Sequence, residues 1–149
     1  LKVTPFLWFD HNAIEVANFY LSIFRQAKIL SEINSAGDNQ FISLDLAGNS
    51  LTIFNGGPHF KFNEAFSLFV DCEDQEEVDY YWNKLIQGGK EGQCGWLKDK
   101  YGLSWQIVPR ALGIFLQDPD RIKADRALQA MLKMKKIDVA KLTLAFEGN

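Results

Sequence analysis

Two histidines and two cysteines are the side chains of this sequence best suited to moving protons or attacking electrophiles. His11 follows Asp10 ahead of a helical pattern and reads as a solvent-exposed turn residue. His59 lies in the loop 56-GGPHFKFNE-64, where an imidazole has the means to transfer a proton. Two histidines so placed are not expected to form a metal site together. Cys94 has no evident cation or helix N-terminus to lower its pKa and reads as an inert thiol. Cys72 lies within 71-DCEDQEE-77, whose carboxylates raise its pKa. That run has the look of a cation site, yet it stands just before a helical pattern, where carboxylates oppose the helix dipole. We read it as a helix start.

The elements that carry these residues repeat. Laying 8-WFDHNAIEVANFY-20 over 69-FVDCEDQEEVDYY-81 needs no gap, with an offset of 71 − 10 = 61. Asp10 falls on Asp71, Glu15 on Glu76 and Tyr20 on Tyr81. The run 3-VTPFLWF-9 is apolar on both parities and predicts a strand buried on both faces. In 12–24, Ile14, Ala17, Leu21 and Phe24 recur at helical spacing and Asn12 stands where a cap is needed. Next come a strand 40–46, a turn 47–50 and a strand 51–55. The second copy has a strand 65–71, a helix of about 74–87 with Val78, Tyr81, Trp82 and Leu85 on one face, a helix end at Gly88-Gly89, and strands 94–99 and 103–109. Gly48 and Gly102 occupy matching hairpin turns. After Pro109 the pattern changes: Asp118-Pro119 predicts a helix start, with Ile122, Leu128, Met131 and Leu132 inward. Asp138 predicts a second start, with Val139, Leu142 and Phe146 inward. The expectation is one α+β domain over 1–149, with repeats at about 1–56 and 64–110 and a helical appendix over 111–149 packed on the repeats or on a dimer partner.

Composition excludes several classes. The 149 residues are 47% apolar and 13% aromatic, enough for a ring-rich core. The net charge is −3 with scattered cations, which argues against nucleic acid. The one basic cluster, 133-KMKK-136, reads as the charged end of a helix. No stretch approaches the roughly 18 apolar residues of a membrane span. No basic, apolar leader opens the chain, and the cysteines form no disulfide framework. A cytoplasmic location is the expectation. No glycine-rich strand-to-helix turn of a nucleotide-type cofactor site is present, and no cofactor is expected.

The strings TPFLWFD (4–10), FY (19–20), NGGPHFKFNEA (55–65), CEDQEEVDYYW (72–82), CGWLKDKYGLSWQIVP (94–109) and AMLKMKKID (130–138) resemble the PhnB-like branch of the vicinal-oxygen-chelate superfamily, the glyoxalase and bleomycin-resistance group. Members often carry a demethylubiquinone 3-methyltransferase-like label, which we disfavour as an activity. The resemblance implies two βαβββ repeats whose sheets curl around a cavity, often in a homodimer. It also implies that the superfamily's enzymes take one metal ligand from the first and one from the last strand of each repeat. Those positions fall on Thr4 and Ala65, and on Thr52 and Gln106. Thr, Ala and Gln are not the imidazoles and carboxylates a divalent ion needs, so no tight metal is expected.

On that plan, strand alternation assigns Thr4, Phe6, Trp8, Thr52, Phe54, Ala65, Ser67, Phe69, Ser104, Gln106 and Val108 to the cavity face. Leu7, Phe9, Leu51, Ile53, Leu68, Val70, Trp105 and Ile107 then face the helices. The rings either grip a planar ligand or fill a small barrel. Gln106 is placed to hydrogen-bond a ligand carbonyl, and the hydroxyls either help it or satisfy themselves locally. The reading is metal-independent binding of a small apolar or aromatic molecule by Thr4, Phe6, Trp8, Thr52, Phe54, Ser67, Phe69, Ser104, Gln106 and the lip residue His59. The alternatives are an enzyme of lyase, isomerase or dioxygenase type, and a scaffold with a filled core.

Overall fold

Alternation of apolar and polar residues decides which face of each strand is buried, and that face then takes the helix. The computed structural model describes residues 1–35 and 40–149, in two compact units, 1–61 and 62–149. In unit 1 the order is β1 (Phe6–Phe9), α1 (Ala13–Ile23), β2 (Ala27–Asn34), β3 (Gln40–Leu46) and β4 (Asn49–Asn55). The sheet order is β1-β4-β3-β2, with β1 parallel to β4 and the other pairs antiparallel. Unit 2 repeats this with β5 (Ser67–Cys72), α2 (Gln75–Leu85), β6 (Lys90–Glu91), β7 (Trp96–Lys98) and β8 (Ser104–Pro109), in the order β5-β8-β7-β6. The fold is α+β, two βαβββ repeats followed by α3 (Arg110–Leu116), α4 (Arg121–Met131) and α5 (Val139–Glu147).

Leu7, Phe9, Ile42, Leu44, Leu46, Leu51 and Ile53 are buried, as are Val16, Ala17, Tyr20 and Ile23 of α1, which packs on β3, β4 and β2. Each large apolar side chain so buried contributes roughly 1.5–3 kcal/mol. In unit 2 the corresponding core is Leu97, Leu103, Trp105 and Ile107 against Val78, Trp82 and Leu85. Several expectations are corrected. β1 is buried on one face only, because Phe6 is 54% exposed. The inward face of α1 is turned from the expected one: Ile14 is exposed, and Val16 and Tyr20 are buried. β2 and β6 carried no apolar alternation to read, because β2 is an edge strand exposed along nearly its whole length and β6 has two residues.

The cap of α1 comes from a less local partner than the sequence suggests. Asn12 makes no side-chain cap; instead Asn55, at the end of β4, accepts a 2.7 Å hydrogen bond from Ala13 N. Asn55 is buried, so this one amide ties the start of the helix to the end of the strand. α2 does cap locally, with Asp74 accepting from Glu77 N. The β3–β4 turn holds Ala47 and Gly48 at φ 52° and 90°, and Asp45 accepts from Gly48 N. In the β7–β8 turn, buried Asp99 accepts from Tyr101 N, Leu103 N and Trp105 Nε1.

The tail packs on unit 2. Leu112, Ile137 and Leu142 form a buried cluster with Val108, Phe115 and Met131 against it. Gln75 of α2 donates to Ile137 O and accepts from Val139 N, and Cys94 N and Gly95 N donate to Met134 O and Lys135 O. The start of α4 is capped by Asp120, one residue after the proline, and its buried face is Ala124 and Ala127. Ile122 and Leu132, expected inward, are 72% and 50% exposed, because the close approach of α4 to its neighbours takes small residues. α5 starts at Asp138 as expected, with Leu142 inward. The lysines of 133–136 lie beyond α4 rather than in its last turn, where Lys135 pairs with Glu91 and Lys136 with Asp79. α3 was not foreseen; it begins at the end of β8, where Arg110 pairs with Asp71.

Two outcomes follow. Asn55→Ala lowers the unfolding free energy by about 1–2 kcal/mol, and Asn12→Ala changes it by less than about 0.5 kcal/mol, as denaturant titration will read. The hydrogen bond from Lys136, and then that from Gln75, hold the Asp79 carboxyl below its ordinary value of 3.8. A depressed carboxyl contributes its stability above the unfolded value and loses it as pH falls through the folded one. Hydrogen exchange in 132–147 is therefore flat from neutral pH down to about pH 4, after correction for intrinsic rates, and faster below.

Candidate functional site

Side chains pointing away from the helices form, in each unit, two rows that cross the sheet. In unit 1 the ladders place Phe6, Thr52 and Ser43 side by side, and Trp8, Phe54 and Phe41 in the next row. In unit 2 the matching rows are Ser67, Ser104 and Lys98, then Phe69, Gln106 and Trp96. Each unit thus carries, on the face turned from its helix, one row richer in polar groups beside one richer in rings; in unit 2 the central Ser104 of the polar row is buried.

The unit 1 rings touch one another. Phe54 lies 4.7 Å from Phe41, 5.4 Å from Phe6 and 5.1 Å from Trp8 between ring centroids, and Phe60 lies 5.0 Å from Trp8. The Trp8 indole N–H donates to Gly57 O at 2.9 Å, which fixes the ring plane. Gly56 makes room for it: a Cβ there would stand 2.1 Å from the indole. Trp8 and Phe54 are half-buried, and Phe6 and Phe60 are 54% and 66% exposed, so the cluster presents ring surface as well as packing it. Ser43 and Thr52 hydroxyls are 3.2 Å apart.

In unit 2 the Gln106 amide N–H donates to Ser67 Oγ at 3.0 Å. Ser104 is 1% exposed, and its Oγ has no hydrogen-bond partner among the described residues. Lys98 Nζ lies 2.6 Å from Glu64 Oε1. That hydrogen bond, with the lysine charge, holds the Glu64 carboxyl below its ordinary value. Phe69 is 57% exposed.

Of the ten residues singled out from sequence, Phe6, Trp8, Thr52 and Phe54 share one face in unit 1, and Ser67, Phe69, Ser104 and Gln106 share one in unit 2. Thr4 stands ahead of β1, exposed, and His59 is exposed in the loop after β4. Ala65 likewise precedes its strand, and Val108 packs on the tail cluster. The pairing of Thr52 with Gln106 is corrected. By the ladders, Thr52 corresponds to Ser104 and Phe54 to Gln106. Thr52 lies four residues after Gly48, whereas Ser104 lies two after Gly102, so matching the turns displaces the strands by two. A shift of two preserves the face. Phe41, Ser43, Trp96 and Lys98 were missed, although the alternation in 40–46 and 96–98 would have placed them; Phe60 and Glu64 lie in loops and left no signal.

No superfamily-type metal set fits these residues. The hydroxyls, the amide and the alanine at the implied positions are weak donors or none, and Gln106 already serves Ser67. Among the described residues, no three His, Cys, Asp or Glu side chains gather where a metal could sit, and no helix is long and apolar enough to cross a membrane. Cys72 is buried, and burial first, then Glu77 and Asp71, push its thiol up to about 12.

A family model described as 3-demethylubiquinone-9 3-methyltransferase matches residues 1–108, leaving the tail helices outside it. A Bacillus cereus structure described as a putative 3-demethylubiquinone-9 3-methyltransferase, PhnB protein, is 33% identical. The match covers 73% of this chain and 99% of that one, with a TM-score of 0.67. A Pseudomonas aeruginosa protein is 17% identical over 73% of this chain and 97% of that one, with a TM-score of 0.61. The fosfomycin resistance protein FosX of Listeria monocytogenes, solved with Mn(II) and sulfate, shares the fold at 15% identity, over 70% of this chain and 88% of that one, with a TM-score of 0.53. No curated protein matches the sequence.

Native protein treated with a thiol-reactive disulfide near about pH 8 reacts at no more than one cysteine, Cys94, and Cys72 is labelled only after unfolding. Rapid labelling of Cys72 in the folded state would contradict its burial.

Proposed function

Because the chain belongs to the PhnB-like family of the vicinal-oxygen-chelate superfamily, we propose that it binds a small apolar or aromatic molecule without the help of a metal ion. The observation that carries this reading is the partly open ring cluster of Phe6, Trp8, Phe41 and Phe54 on the sheet, joined by Phe60 from the loop after it. Rings already locked by packing lose little entropy when a planar ligand stacks on them. Ser43 and Thr52 beside them supply the sparse polar groups that orient a ligand. The donor chemistry at the implied ligand positions supports a metal-free mode. The methyltransferase wording is a family description, and the sequence has no glycine-rich cofactor turn to support it.

The neutral probe 2-naphthamide, followed by calorimetry, is expected to bind saturably. Phe60→Ala, which removes an exposed loop ring and spares the core, weakens it by about threefold or more. Chelator leaves affinity and thermal midpoint unchanged. The absence of saturable binding would sink the reading, and stoichiometric metal in protein purified without chelator would sink its metal-free half.

A further inference from the structure

We propose that unit 2 carries an anion site of its own, which takes an aromatic carboxylate held by Lys98, Ser104 and Ser67; this rests on the small-molecule reading above and extends it to the second repeat. The three residues stand in one row across β7, β8 and β5. All three offer protons. Ser67 Oγ accepts from Gln106, which leaves its own hydroxyl hydrogen to donate. Ser104 is buried with its hydroxyl unpartnered among the described residues. A buried hydroxyl without a partner is destabilising, so packing alone is a poor reason for serine there. Lys98 brings the charge from an inner strand, with its side chain 34% exposed, where a charge-assisted hydrogen bond counts for more than in open water. The same row in unit 1, Phe6, Thr52 and Ser43, has no cation.

The next row of unit 2 receives the ring of that carboxylate. Trp96 and Phe69 flank Gln106, and successive rows on a strand are about 6–7 Å apart. That spacing suits a carboxylate joined directly to a ring, with the anion on the lysine row and the ring against Phe69 or Trp96. Glu64 now occupies Lys98, from the segment ahead of β5 and with 65% of its side chain exposed. It acts as a stand-in carboxylate, keeping the ammonium oriented and leaving it when a ligand carboxylate arrives.

The test compares 2-naphthoate with 2-naphthamide, alike in shape and different in charge, by calorimetry on the full chain. Wild type is expected to bind the naphthoate about tenfold more tightly. Lys98→Met erases that preference while naphthamide affinity stays put. Glu64→Gln strengthens naphthoate binding about threefold by removing its competitor. Ser104→Ala weakens naphthoate about threefold while the thermal midpoint does not fall, an opposition that a purely structural serine would not produce. Equal affinity for the two probes, or a preference that survives Lys98→Met in folded protein, overturns the anion site and leaves the small-molecule reading standing. Binding of neither probe removes both.

Discussion

In each unit a parallel ladder joins strands far apart in the sequence: Phe6 pairs with Thr52, and Ser67 with Ser104. Parallel neighbours cannot be joined by a tight turn, so a long connection must intervene; here it is a helix and two strands, and the helix buries one sheet face. The other face stays open, and its rows of side chains are those the ladder brings into line. The register of this one pairing therefore sets which residues share a row.

The two repeats use one plan for different chemistry. In unit 1 the ladder lines up rings, Trp8, Phe54 and Phe41, locked by an indole hydrogen bond to Gly57 O and by the space at Gly56. In unit 2 it lines up a lysine with two serines, and an amide with two rings. The difference follows from a few positions of alternating parity, because substitutions on the open face leave the helix-facing core untouched.

The tail helices lie outside the stretch shared with the family, and they attach by mixed means. A small apolar cluster around Leu142 supplies burial, while Gln75 and three exposed ion pairs, Arg110 with Asp71, Lys135 with Glu91 and Lys136 with Asp79, set the docking position. Exposed pairs of this kind add little stability, so the apolar cluster and the Gln75 amide carry more of the attachment.

Alternation and turn residues made much of this legible in the sequence. Repeated strands and helices, the helix-facing set Leu7, Phe9, Leu51, Ile53, Trp105 and Ile107, the helix start within 71–77 and the start at Asp138 all follow from local period and local hydrogen bonding. The sequence also placed Phe6, Trp8, Phe54, Phe69 and Gln106 on the faces away from the helices, because side-chain parity is a property of the strand alone. What it could not decide depends on partners distant along the chain. Asn55 caps a helix 42 residues earlier in sequence, Phe60 reaches Trp8 from a loop, and Glu64 reaches Lys98. The match of Thr52 to Ser104 rather than Gln106 belongs to the same class: a slip of two residues leaves every side chain on its face, so alternation is blind to it, and only the pairing of one strand with another resolves it.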